Sequence, residues 1–118
     1  MFTLAALLSA VWTLVHIVLG GRDVARPLSR SALPEIPRET SVMVWHMISA
    51  VLAVLTLLLG WAALGAVPEG GIAAMLLSGG LMLGGIGTQI GRGLPLKTLP
   101  QGWLFLPVTV LAGLGLWL

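Results

Sequence analysis

His16 and His46 are the two imidazoles of a 118-residue chain that contains no cysteine. Each lies inside a run free of Asp, Glu, Lys and Arg, His16 near the end of Met1–Gly21 and His46 near the start of Thr40–Pro68. At 1.5 Å per residue, helices over 2–20 and 41–64 place both roughly 6–8 Å inside the same end of the two runs. An ionisable group in an apolar segment is costly to keep there, so the pair is a functional-site hypothesis.

Several chemistries suit two neutral imidazoles. They could ligate a divalent metal, although two nitrogens fill only half of a tetrahedral shell. Asp23 and Glu39 each stand seven residues from a histidine, about 10 Å along a helix and too far for direct ligation without a bend. Met43 and Met47 flank His46 and suit soft Cu(I), but Met is also common filler in apolar helices. Haem b on two axial histidines is a third reading, opposed by the small space between closely packed helices. A fourth is a proton relay, or a hydrogen bond to a quinone or other amphipathic ligand. Against all of these stands simple packing, with each imidazole bonded to Ser9, Thr13 or Ser49. The ligand-binding set read from the sequence is His16, His46, Thr13, Ser49 and Gln89, with His16 and His46 as the metal candidates. Gln89 and Thr88 would end their helix near the histidine level, where polar helix-end residues are also ordinary.

Other constellations are missing. The Ser and His positions share packing faces while the acids lie outside them, so no Ser-His-acid set forms. No glycine pattern of the nucleotide-binding kind follows a strand, and no carboxylate lies within an apolar run. The residues point away from an enzyme acting alone.

The elements that would position the histidines follow from composition. The chain is 58% hydrophobic and 8% charged, with a mean hydropathy of +1.06. Soluble domains are about 25% charged, so these side chains could not clothe a water-facing surface. The net charge of +2 comes from five Arg and one Lys against four acids, too few for a nucleic-acid surface. A spanning helix needs about 20 mostly apolar residues. Four runs meet that length and predict helices at 2–20, 41–64, 71–91 and 102–118. Continuous rather than alternating apolar character excludes membrane strands. The first run lacks the basic start of a signal peptide and stays apolar to Leu19, so it reads as a mature helix.

Arg22, Arg26, Arg30 and Arg38 follow the first helix, Arg92 and Lys97 follow the third, and the middle turn holds Glu69 alone. The positive-inside rule makes the basic loops cytoplasmic and both termini external. Their cations would meet lipid headgroups, and Pro34 and Pro37 would limit the first loop to short structured pieces. Trp45 and Trp103 near one membrane face, with Trp61 and Trp117 near the other, fit aromatic belts, and Trp61 could equally be a packing residue.

Small and polar residues mark the expected packing faces. Ala5, Ser9, Thr13, His16 and Gly20 line the first helix; His46, Ser49, Ala53, Thr56 and Gly60 line the second. Gly80, Gly84, Gly87 and Gly91 form small-xxx-small steps on the third, for contact within the chain or with a second copy. Pro107 should bend the fourth helix or free a carbonyl. The Gly-Arg, Pro-Leu and Leu-Pro pairs recur in both basic loops, suggesting two hairpins related as a parallel internal repeat. The same residues are also ordinary membrane-turn chemistry.

The sequence therefore predicts an all-α integral membrane protein of four transmembrane helices in two antiparallel hairpins, in one domain and in a cell inner membrane. Its expected role is a non-catalytic subunit of a homo-oligomeric or larger membrane assembly, with a cytoplasmic-side histidine pocket. A small-molecule, proton or metal carrier or channel using that pocket, and a haem b electron-transfer subunit, are the alternatives.

Overall fold

A computed structural model describes residues 1–65 and 68–118, and every regular element among them is a helix. Helix α1 (Phe2–Val15) runs on into a π-helical segment (His16–Ala25) and a last turn, α2 (Arg26–Ser29). Helix α3 spans Glu35–Ala63, α4 Pro68–Gly91 and α5 Gln101–Trp117. Three continuous helical stretches are long and apolar enough to cross a membrane: Phe2–Ser29, Glu35–Ala63 and Pro68–Gly91. Gln101–Trp117 is a shorter apolar helix of 17 residues.

The helices outrun the expected spans at the basic end. Where 2–20 was expected to end, the backbone continues helically to Ser29, and α3 starts at Glu35 rather than at 41. Charge marks where an apolar run stops, not where backbone hydrogen bonding stops. Pro37 sits in the first turn of α3, where its missing N–H costs little, so it extends a helix it was expected to interrupt. Glu69 likewise lies in the first turn of α4, where a carboxylate complements the helix dipole.

Glycine closes two of the helices. Gly65 follows α3 at φ 71° and Gly93 follows α4 at φ 63°, the left-handed conformation that spares glycine a Cβ clash. After α4 the Leu94 N–H donates to the Gln89 carbonyl and the Gly93 N–H to that of Ile90, the Schellman pairing of a helix end.

Pairing across the helices is antiparallel. Ser9 meets Thr56, His16 meets Ser49 and Gly20 faces Trp45, one index rising as the other falls. The same holds for α4 and α5, where Gly71 lies by Leu116, Ser78 bonds Thr109 and Gly85 abuts Gly102. Contacts of α1 with α5 and of α3 with α4 close the bundle.

Its interior is small and hydroxylated, while its exterior is greasy. Ala5, Ser9, Thr13, Ala74, Ser78 and Ala112 are buried, together with Leu55, Leu59 and Val108. Large aliphatics face outward, among them Leu14 at 63% exposure, Leu57 at 71% and Leu83 at 67%. Single exposed leucines are ordinary in soluble proteins, but contiguous apolar surface on every helix is not.

Candidate functional site

The face of α1 read from the sequence is the face that packs. Ala5, Ser9 and Thr13 are buried, and a Cβ on Gly20 would come within 2.5 Å of the Trp45 ring. Helix α3 meets it on a different register from the one expected. Ser49 and Thr56 belong both to the anticipated row 46-49-53-56-60 and to the row 45-49-52-56. The second row is used, because it packs Trp45 against Gly20 and buries Leu52. Ala53 and His46 are consequently exposed.

The histidine pair is therefore not assembled. His16 stacks on Trp45, with ring centroids 3.9 Å apart and planes 13° from parallel, and its Nε2 lies 3.0 Å from Ser49 Oγ. His46, roughly 100° around the helix from Trp45, makes no hydrogen bond among the described residues. A metal bridging the two imidazoles, or haem b held between them, has no support in this arrangement. Among the described residues there is also no group of three His, Asp or Glu side chains able to hold a metal ion.

Ser49 links the His16 ring to the backbone of α3. The Ser49 hydroxyl has one proton and donates it to the Trp45 carbonyl, 3.0 Å away. The same oxygen lies 3.0 Å from His16 Nε2, so that nitrogen is engaged on α3, while Nδ1 has no hydrogen-bond partner among the described residues. Deeper between α1 and α3, Ser9 Oγ lies 2.8 Å from Thr56 Oγ1. Thr56 donates to the Leu52 carbonyl and Thr13 to the Ser9 carbonyl. Every proton in that cluster has a carbonyl or hydroxyl partner, so the cluster binds the helices together and does not continue the His16 pair as a relay. Thr13 thus belongs to packing, not to the pocket.

A lateral cavity of about 810 Å³ opens beside His16. The end of α1 and its π-helical continuation form one wall, α3 the second, and the 98–105 segment entering α5 the third. Its lining is largely aromatic and aliphatic, with Trp12, Leu81, Leu104 and Phe105 among it, and its polar groups include His16, Ser41, Gln101 and Asp23. Asp23 is neutralised by Arg22, which donates from Nε at 2.7 Å and from its terminal nitrogen at 3.0 Å. The half-open space is thus lined mainly by apolar groups, with a hydrogen-bonding patch whose one carboxylate is paired. The π-helical stretch begins at His16, the residue that stacks; such turns widen a helix and frequently accompany functional sites.

Gln89 serves elsewhere. Its Nε2 donates to the Leu94 carbonyl at 2.6 Å and its Oε1 accepts from Trp103 Nε1 at 3.1 Å, tying the α4–α5 turn together. Trp45, expected in an aromatic belt, is a packing residue, whereas Trp61 is 55% exposed. Gly80, Gly84, Gly87 and Gly91 do not pack within the chain. All four are exposed, and a Cβ on any of them would meet nothing within 4 Å. The α4 face that packs on α5 is instead Gly71, Ser78 and Gly85. The cavity and its polar patch had one legible signal in the sequence, the His16 and Gly20 spacing; the walls from Thr98 to Phe105 had none.

The arrangement defines a class: an all-helical bundle of apolar helices with a ligand-sized lateral cavity. No known protein family, curated protein or solved structure matches the chain.

Proposed function

We propose that this chain is a multi-pass membrane protein, with four spans, cytoplasmic basic loops and both termini outside, that binds a neutral amphipathic small molecule in the cavity beside His16. The cavity carries this reading, for it combines apolar walls with the His16 ring, whose Nδ1 has no hydrogen-bond partner among the described residues, and no uncompensated charge. Membrane insertion is supported by the outward-facing aliphatic surface and by a long axis of 50 Å, enough for a bilayer of about 40–45 Å including headgroups. The basic residues support an inner-membrane orientation. Arg26, Arg30, Arg92 and Lys97 form no ion pair among the described residues, which leaves them for anionic headgroups, while Arg22 and Arg38 are each held by the adjacent acid. The ligand's tail would lie against Trp12, Leu104 and Phe105 and its hydroxyl on His16 Nδ1. Binding, delivery to a partner subunit and passage between leaflets all use the same site.

Trp12 and Trp45 line the cavity, so a quinol-type probe such as decylubiquinol should quench their fluorescence saturably in detergent-solubilised protein. His16→Ala should weaken that binding by on the order of tenfold, the value of one hydrogen bond of about 1.4 kcal/mol. Linear, unsaturable quenching in the wild type would count against the site.

A second reading, assembly into a homo-oligomer or with another membrane subunit, is favoured by the open row Gly80, Gly84 and Gly87. Small residues at these spacings let a second helix approach closely. Gly84→Ile should shift the protein to a lower oligomeric mass in mild detergent while leaving its helicity unchanged. An unaltered mass would remove this row from any interface.

A further inference from the structure

The register that turns Trp45 inward turns the neighbouring side of α3 outward, and that side carries three metal-ligating groups. Met43 is 55% exposed, Met47 is 57% exposed, and His46 is exposed between them. None of the three lines the cavity beside His16. On a helix, residues three and four apart are neighbours with Cβ atoms about 5–6 Å apart. Met43 therefore neighbours both His46 and Met47, and its sulfur can reach toward either. Methionine's unbranched chain has three rotatable bonds, so the thioethers adjust to a bound ion without moving the backbone.

We propose that Met43, His46 and Met47 form a binding site for a soft monovalent cation of the Cu(I) class. Donor chemistry selects the ion: two thioethers and one imidazole are soft to borderline ligands, matched to Cu(I) and poor for hard divalent cations. The nearest carboxylate on this face, Glu39, stands four residues before Met43 and so neighbours it, but it is engaged by Arg38, whose Nε donates to it at 2.9 Å. One carboxylate already paired with an arginine is far short of the oxygen shell that Mg²⁺, Ca²⁺ or Mn²⁺ takes. None of the three donors is an anion, so the bound ion brings a single positive charge to the half of α3 that begins with Glu35, Arg38 and Glu39. Copper keeps one oxidation state throughout; the site holds the ion and transfers no electron. This inference is independent of the cavity and of any ligand in it.

Anaerobic titration of the full-length protein in detergent with Cu(I), against the chromogenic competitor bicinchoninate, tests it. The wild type should take up one Cu(I) per chain. The double variant Met43→Leu/Met47→Leu changes two exposed side chains at nearly constant volume, so helicity by circular dichroism should be unchanged. Losing a direct ligand should cost at least the roughly tenfold in affinity that loss of a supporting contact costs, both in that double variant and in His46→Ala. Met75→Leu/Met82→Leu and His16→Ala should bind as the wild type does. No uptake by the wild type, equal affinity in the Met43/Met47 double variant, or a loss that follows His16 would each overturn the assignment. So would displacement of Cu(I) by stoichiometric Zn²⁺.

Discussion

Gly85→Ala and Gly102→Ala should each destabilise the bundle more than any other single methyl addition at a helical glycine. A Cβ on Gly85 would stand 2.5 Å from the Gly102 Cα and 2.9 Å from its nitrogen. Those are backbone atoms, so no rotamer change relieves the clash, and α4 and α5 must separate. Overpacking of this kind costs about 1–3 kcal/mol, and separation would also strain the Ser78–Thr109 bond one crossing deeper. The thermal midpoint in detergent should fall for both variants. Gly80→Ala and Gly87→Ala, which meet open space within the chain, should be neutral or stabilising by up to about 1 kcal/mol in the monomer, since alanine replaces glycine inside a helix. Similar midpoints for all four variants would mean that α4 and α5 do not cross at Gly85.

Gly20→Val should have the largest effect on the cavity. The added Cβ would stand 2.5 Å from Trp45 Cη2 and 3.0 Å from Cζ2, atoms of a rigid indole whose face is already covered by His16. Trp45 must swing out, which removes a stack worth about 0.5–1.5 kcal/mol and opens the wall beside His16. Ligand affinity should then drop by at least the roughly tenfold expected for His16→Ala, equivalent to about 1.4 kcal/mol. Trp45→Ala combined with Gly20→Val should be no worse than Trp45→Ala alone, because the clash acts through that indole. Additive losses would show that Gly20 does not seat Trp45.

Helices and their outward apolar faces were legible in the sequence because charge-free runs of this length leave few alternatives. The α1 face was legible too, since Ala5, Ser9, Thr13, His16 and Gly20 recur at 4, 4, 3 and 4 with no competing row. Helix α3 offered two rows that share Ser49 and Thr56. Counting small residues favours the one with His46, but inserting Trp45 over a glycine buries more surface and wins. In α4 glycines occur on more than one face, so periodicity alone could not tell the Gly80 row from the row that packs. The cavity depends on how the 98–105 segment returns across α1 and α3, a tertiary fact with no local pattern. Gln89 shows the same limit, because its two bonds depend on where Leu94 and Trp103 come to rest.

Native mass spectrometry of the wild type and of Leu19→Trp, both incubated with decylubiquinol and released from the same mild detergent, tests the cavity most directly. Leu19 lines the chamber and is 45% exposed, so an indole there fills space without disturbing the buried core. The wild type should retain one molecule of the probe per chain, and Leu19→Trp should lose it while keeping its helicity. Equal retention by both proteins, or none by the wild type, would contradict a ligand site beside His16.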